Sequence, residues 1–211
     1  MKSELFTAYF QGFTMMASLI VAIGLQNAFV LRQGVKHQDV FLTVTICFLC
    51  DALLISIGAA GLGALFSSSH ILALVISFGG CAFLVAYAIR ALHAAKKTKG
   101  LDLKSAEKVS RANIILASFA VSLLNPHAIL DTIVLVGGLA ARYEDTARYM
   151  CALGAITASC IWFYSIGYGA KKLAPFLSKP KIWRIVDLII GLMMLVLAFS
   201  FAKNGIQLLY S

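Results

Sequence analysis

The chain has 211 residues, 61% of them hydrophobic and 13% charged, with a mean hydropathy of +0.90; soluble domains run at roughly 45–50% apolar and about 25% charged. A composition this apolar excludes an ordinary soluble enzyme or binding module. The net charge of +9 comes with no basic groove of interleaved aromatics, which argues against a nucleic-acid partner.

Six apolar segments use up the length: about 6–31, 38–66, 70–93, 112–140, 148–170 and 183–209. Each can cross a hydrocarbon core of about 30 Å, for which roughly 20 helical residues suffice. Lipid offers the backbone no hydrogen-bonding partner, so continuous runs of this length read as helices rather than barrel strands. The expected fold is all-α, an integral membrane bundle of six transmembrane helices forming one polytopic domain over 1–211.

The first segment, Phe6 to Leu31, is longer than a signal core of about 7–15 residues and contains Gln11, Gln26 and Asn27, so it is expected to stay in the mature protein. Gln26 and Asn27 both donate and accept, which suits either an amino-acid carboxylate or amine, or plain bonding between helices. In the second segment Asp51 shares a small, weakly polar face with Val44, Cys47, Gly58 and Leu62, flanked by Thr43. A carboxylate at membrane depth costs roughly 2.5–3.5 kcal/mol or more and persists where it pairs, meets water or carries function. The next polar stretch, about 94–111, holds Lys96, Lys97, Lys99, Lys104 and Lys108 and reads as a solvated loop.

The fourth segment is interrupted by Asn125-Pro126-His127. Pro126 lacks a backbone donor and obstructs the carbonyl of Ser122, so a kink with freed carbonyls is predicted. Asp131 follows His127 by four residues and shares its helix face, as a proton relay or as a buried hydrogen-bonded pair. Thr132 adds a hydroxyl ligand. Small residues mark tight helix contacts: Gly58, Gly61 and Gly63, Gly79 and Gly80, Gly137 and Gly138, and the stripe Gly154, Ala158, Ser165. In the fifth segment Trp162 and Tyr164 line a pocket or anchor at the interface, and Tyr168 anchors. Asp187, three residues after Arg184, reads as a helix-surface ion pair with it. Cys47-x-x-Cys50 matches a redox spacing, but within an apolar helix the two read as small fillers. No Cys/His pairs recur at metal-ligand spacing, and no cofactor is called for.

Lys and Arg divide fourteen to four across the six segments. The positive-inside rule puts the fourteen in the cytoplasm and both termini outside. The polar stretch divides the chain into a first repeat at about 6–93 and a second at about 112–209. An odd number of spans in each inverts one against the other and places a site near the midplane.

Gly24-Leu25-Gln26-Asn27-Ala28-Phe29-Val30, Gly34, Asp51, and Leu124-Asn125-Pro126-His127 with Leu130-Asp131-Thr132 resemble the LysE-type exporters of basic amino acids, the arginine exporter branch in particular. The resemblance extends through Ala152-Leu153-Gly154 to Trp162 and the segment from Arg184 to Gly191. It implies a protein of the bacterial cytoplasmic membrane that exports arginine or lysine, with the Asn and Asp residues above at the transport site. One departure is Leu25, where the family usually has proline; any break in the first span would then rest on Gly24 and be milder.

Moving a cation outward against an inside-negative potential costs about 2.3 kcal/mol per charge per 100 mV. The sequence has no phosphate-binding loop of the ATPase type, which leaves ion coupling, with protons as the expected partner. Asp51 and Asp131 would bind proton and cation in turn. The competing readings are an exporter of neutral amino acids, a thiol-disulfide carrier working through Cys47 and Cys50, and a passive channel. A homodimer is left open.

Overall fold

The computed structural model describes residues 2–21, 24–62, 70–96, 110–123, 125–177 and 179–210, and every regular element among them is helical. Helix α1 (Lys2–Ile20) is followed by α2 (Leu25–Val35), with the two axes 75° apart. Helix α3 (Val40–Ile57) runs on through Gly58 into a kink at Gly61, which takes φ +96° and ψ 0°, and α4 covers His70–Lys96. After α5 (Arg111–Leu123), helix α6 covers 126–140: it starts as Pro126–Ile129, widens to π geometry over Leu130–Val136 and closes with Gly137–Ala140. Helix α7 (Asp145–Lys172), a single turn α8 (Ala174–Leu177) and α9 (Pro180–Leu209) complete the chain.

Local chemistry sets several of these limits. Pro126 and Pro180 each stand at the first position of a helix, where the missing N–H is no loss. Lys171 and Lys172 close α7, and Lys96 closes α4, cations at the negative end of the helix dipole. Most of the lysine-rich stretch expected as a solvated loop, 97–109 with Lys97, Lys99, Lys104 and Lys108, lies outside the described residues.

Among the described residues four helices are long and apolar enough to cross a membrane, and five if the bent pair α1–α2 is one span. That falls short of the expected six because the segment 112–140 is divided into two short apolar helices, Arg111–Leu123 and Leu130–Ala140. Proline cannot continue the ladder of α5, so the chain restarts at Pro126.

The order of contacts gives the sense of each helix. Gly12 lies on Cys151, Asn27 meets Trp162 and Gly34 lies on Gly167, so α1 and α2 both run alongside α7 in its own direction. On the other side Arg111 pairs with Asp39 at 3.2 Å, and Gln26 joins Ser122 to Asp51, so α5 runs with α3. Helices α4 and α9 are antiparallel, with Gly191 against Leu92 and Gly205 against Phe78. The end of the bundle formed by Arg32, Lys36, Lys96, Arg111, Lys171 and Lys179 is therefore the basic one.

Close approach needs glycine where α1 crosses α7, where α2 meets α7 at Gly34 and where α3 meets α6. A Cβ on Gly154 would fall 1.9 Å from the carbonyl oxygen of Tyr9, and one on Gly12 as close to that of Cys151. Gly58 and Gly137 likewise bring α3 onto α6, with a Cβ on either within 3 Å of backbone. Gly79 and Gly138 have nothing within 4 Å, and Ser165 is exposed while Ala155, Ala158 and Ser159 are buried. Those two glycines and the end of the small-residue stripe are therefore not at helix contacts, because the packed face of α7 drifts away from the stripe.

Candidate functional site between two helix breaks

The chain is interrupted twice in the middle of the bundle, between Ile20 and Leu25 and between Leu123 and Pro126. Between the two breaks lies a cavity of about 40 Å³, room for a few waters at the ~10–15 Å³ that each needs. The end of α1 contributes Met16, Leu19 and Ile20 to its wall, and the start of α2 contributes Gly24, Gln26 and Asn27. Asp51 enters from α3, and Asn125, Ala128, Asp131 and Thr132 from the second break and α6. All six polar residues expected to bind substrate, Gln26, Asn27, Asp51, Asn125, Asp131 and Thr132, thus line one wall or another of the same space. Pro126 and His127 belong to the backbone of α6, but their side chains lie outside the described residues. The shared face expected for His127 and Asp131 assumes an α-helical pitch, which ends at Leu130.

Asp51, 2% exposed, is held from two sides. Gln26 donates through Nε2 to Asp51 Oδ1 at 3.1 Å and to Ser122 Oγ at 3.0 Å. Ser159 of α7 donates to Asp51 Oδ2 at 3.0 Å. Both carboxylate oxygens are engaged, as a buried charge requires, and the bonds tie α2, α3, α5 and α7 together at one point. Ser122 and Ser159 were not among the expected site residues; their only sequence signal is a hydroxyl within an apolar span. Asp131 is half-buried on the far wall, in the π-helical stretch that also presents Thr132. Single π turns inside α-helices occur often at functional sites. Thr132 donates to the carbonyl of Ala128 at 2.6 Å, which leaves its oxygen able to accept.

The first break is sharper than the absence of a proline implies. Gly24 takes φ −82° and ψ −173°, an extended conformation open to any residue, and a Cβ there would meet only Met194 at 3.9 Å. The break is held instead by Asn27, whose Nδ2 donates to the carbonyl of Ile20 at 2.7 Å and whose Oδ1 accepts from Trp162 Nε1 at 3.0 Å. Asn27 therefore caps the end of α1, and Trp162 of α7 holds it in place. Tyr164 meets Thr45 at 2.9 Å and stacks on the exposed Tyr168. Cys47 and Cys50 are both buried and free.

Asp187 departs from expectation. It is buried, whereas Arg184 is exposed, and its partner is Arg32 at the end of α2. Asp187 and Trp183 are four apart on the inward face of α9, so both are presented to Arg32, whose guanidinium stands 5.5 Å from the Trp183 ring centre.

Residues 17–205 match the model of a family described as LysE type translocator. Among similar proteins, an "Arginine exporter protein ArgO" from Salmonella enteritidis is 40% identical over 200 residues, 94% of each chain. Another of that name, from Pectobacterium carotovorum, is 38% identical over 205 residues, 96% of this chain and 100% of its own. No solved structure matches.

Proposed function

This chain belongs to the LysE type translocator family, and from that membership we propose that it exports basic L-amino acids, arginine or lysine, from the bacterial cytoplasm in exchange for protons. A translocator of this family is a transporter, not an enzyme. The observation that carries the substrate class is the pair of carboxylates, Asp51 and Asp131, on the walls of one cavity between two helix breaks. A neutral amino acid needs one compensated charge at each end; a basic one brings an extra cation and calls for an extra anion. Relatives named as arginine exporters agree. The thiol carrier loses ground, since Cys47 and Cys50 are buried without an electropositive setting.

In this reading the chain crosses the bilayer six times, the broken pairs α1–α2 and α5–α6 each counting once, with the basic end in the cytoplasm and both termini outside. Support for two inverted halves comes from the senses of the helices. Each half has a broken helix followed by two long ones, and each broken helix runs alongside the middle helix of the other half. Gln26, Asn27, Asn125 and Thr132 would hold the α-carboxylate and α-amine, while Asp51 and Asp131 take the side-chain cation or a proton. The cavity is too narrow for an amino acid, so we read it as an occluded state that opens to either side as the halves rock. One chain holds the whole site, so no second copy is required.

Uptake of labelled arginine and lysine into everted membrane vesicles tests this. We expect uptake that depends on an acid interior, and we expect Asp51→Asn and Asp131→Asn to reach the membrane at normal levels but lose it. Normal uptake by both variants would overturn the assignment.

A further inference from the structure

Outside the cavity, a second arrangement suited to an organic cation lies at the basic end of the bundle. The Asp187 side chain is 10% exposed and bonded to Arg32, whose own side chain is 36% exposed. The Trp183 ring lies beneath the guanidinium, itself 4% exposed with its Nε1 buried and without a hydrogen-bond partner. A carboxylate joined to an indole face matches the planar charge of a guanidinium, which forks onto the one and stacks on the other. The receptor half of this pairing is built into α9 and buried, while the half that fills it is a partly solvated side chain from α2.

Helix α9 also links the clamp to the cavity wall. Met194, seven residues beyond Asp187 on the same helix, reaches toward Gly24 on the cavity wall, a separation of about 10 Å at 1.5 Å per residue. We infer that Asp187 and Trp183 form an entry subsite for the guanidinium or ammonium head of the substrate, which Arg32 and that head group occupy in turn. This rests on the reading of the chain as a basic amino-acid exporter. Arg32 acts as a tethered competitor: it keeps the buried carboxylate paired and yields the site when the free cation is abundant. A tether of this kind supplies an effective concentration in the millimolar range, so arginine would compete at millimolar levels in the wild type and at lower ones without Arg32.

The chain has two tryptophans, Trp162 and Trp183, so purified protein labelled with 5-fluorotryptophan gives two fluorine resonances, assigned by Trp162→Phe. Titration with arginine, methylguanidinium and uncharged citrulline is then followed at Trp183. We expect the Trp183 line to move with the two cations and not with citrulline, and to saturate at concentrations about tenfold or more lower in Arg32→Ala than in wild type. The movement should persist in Asp51→Asn, where the cavity is impaired, and vanish in Asp187→Asn. If Arg32→Ala does not fold, Arg32→Gln and the wild-type titration carry the same test. A Trp183 line that is silent in wild type and variant, that follows citrulline equally, or that still moves in Asp187→Asn overturns the subsite. Vesicle uptake separates the two readings: arginine transport with a silent Trp183 sinks the subsite alone, and a responsive Trp183 without transport sinks the exporter reading alone.

Discussion

Asp51 would be a liability in an apolar span were its two oxygens not met by Gln26 and Ser159. Interhelical hydrogen bonds in membranes average about 0.6 kcal/mol, with an upper value near 1.7, so Ser159→Ala should fold with a small loss of thermal midpoint in detergent. Its arginine uptake should nonetheless fall clearly, because the hydroxyl fixes one oxygen of the carboxylate; uptake at the wild-type rate would show that it does not. Gly24→Ala makes the opposite case. The backbone there suits any residue and the nearest foreign atom to a Cβ is 3.9 Å away, so the loss of stability should not exceed the roughly 1 kcal/mol of an altered helix N-cap, and a larger loss would restore glycine's role in the break. That both aspartates, the amide pair and Thr132 would face an interior space was legible in the sequence, because a polar group in an apolar run is costly and therefore conspicuous. Ser122 and Ser159 were not, since serine is a common small residue in membrane helices and only the fold shows which hydroxyl faces a carboxylate. Asp187 was legible as a charge but not as a partner: local spacing offered Arg184, while the packed face of α9 turned it toward Arg32.

The helices themselves follow from apolar length, and the break at Pro126 from the chemistry of proline, but three features had no local signal. The 75° turn before Leu25 is held by Asn27 across to Ile20 and Trp162, a tertiary cause. The kink at Gly61 and the π-helical stretch Leu130–Val136 accompany the Gly58–Gly137 crossing, which brings two backbones together. The third is which glycines pack, for a lone glycine in an apolar run does not announce which way it faces. This last point can be measured. In Gly154→Ala the new methyl would overlap the Tyr9 carbonyl at 1.9 Å, forcing α1 from α7 at a cost of roughly 1–3 kcal/mol or more. Gly138→Ala meets nothing within 4 Å and should hold or raise stability, since alanine favours a helix by up to about 1 kcal/mol. Thermal midpoints of the two variants in one detergent decide: equal losses would mean that the α1–α7 crossing does not need its glycine.

The senses of the helices give the molecule its shape: α1–α2 runs alongside α7 and α5 alongside α3, with the candidate site between the two helix breaks. Such a site has a consequence for energetics. If Asp51 and Asp131 exchange one proton for one monovalent amino-acid cation, the site carries the same charge in both directions of the cycle, and transport is electroneutral. A cycle that moved one net charge would feel about 2.3 kcal/mol per 100 mV, a roughly 50-fold change in accumulation at about 1.4 kcal/mol per tenfold. In everted vesicles, arginine accumulation should therefore rise with an acid interior and change little when a potassium diffusion potential of either sign is imposed at fixed pH gradient. A steep response to the potential would require a second proton or another ion per cycle. Accumulation set by the potential alone, with no response to pH, would leave the two carboxylates binding the passenger without a proton to exchange for it.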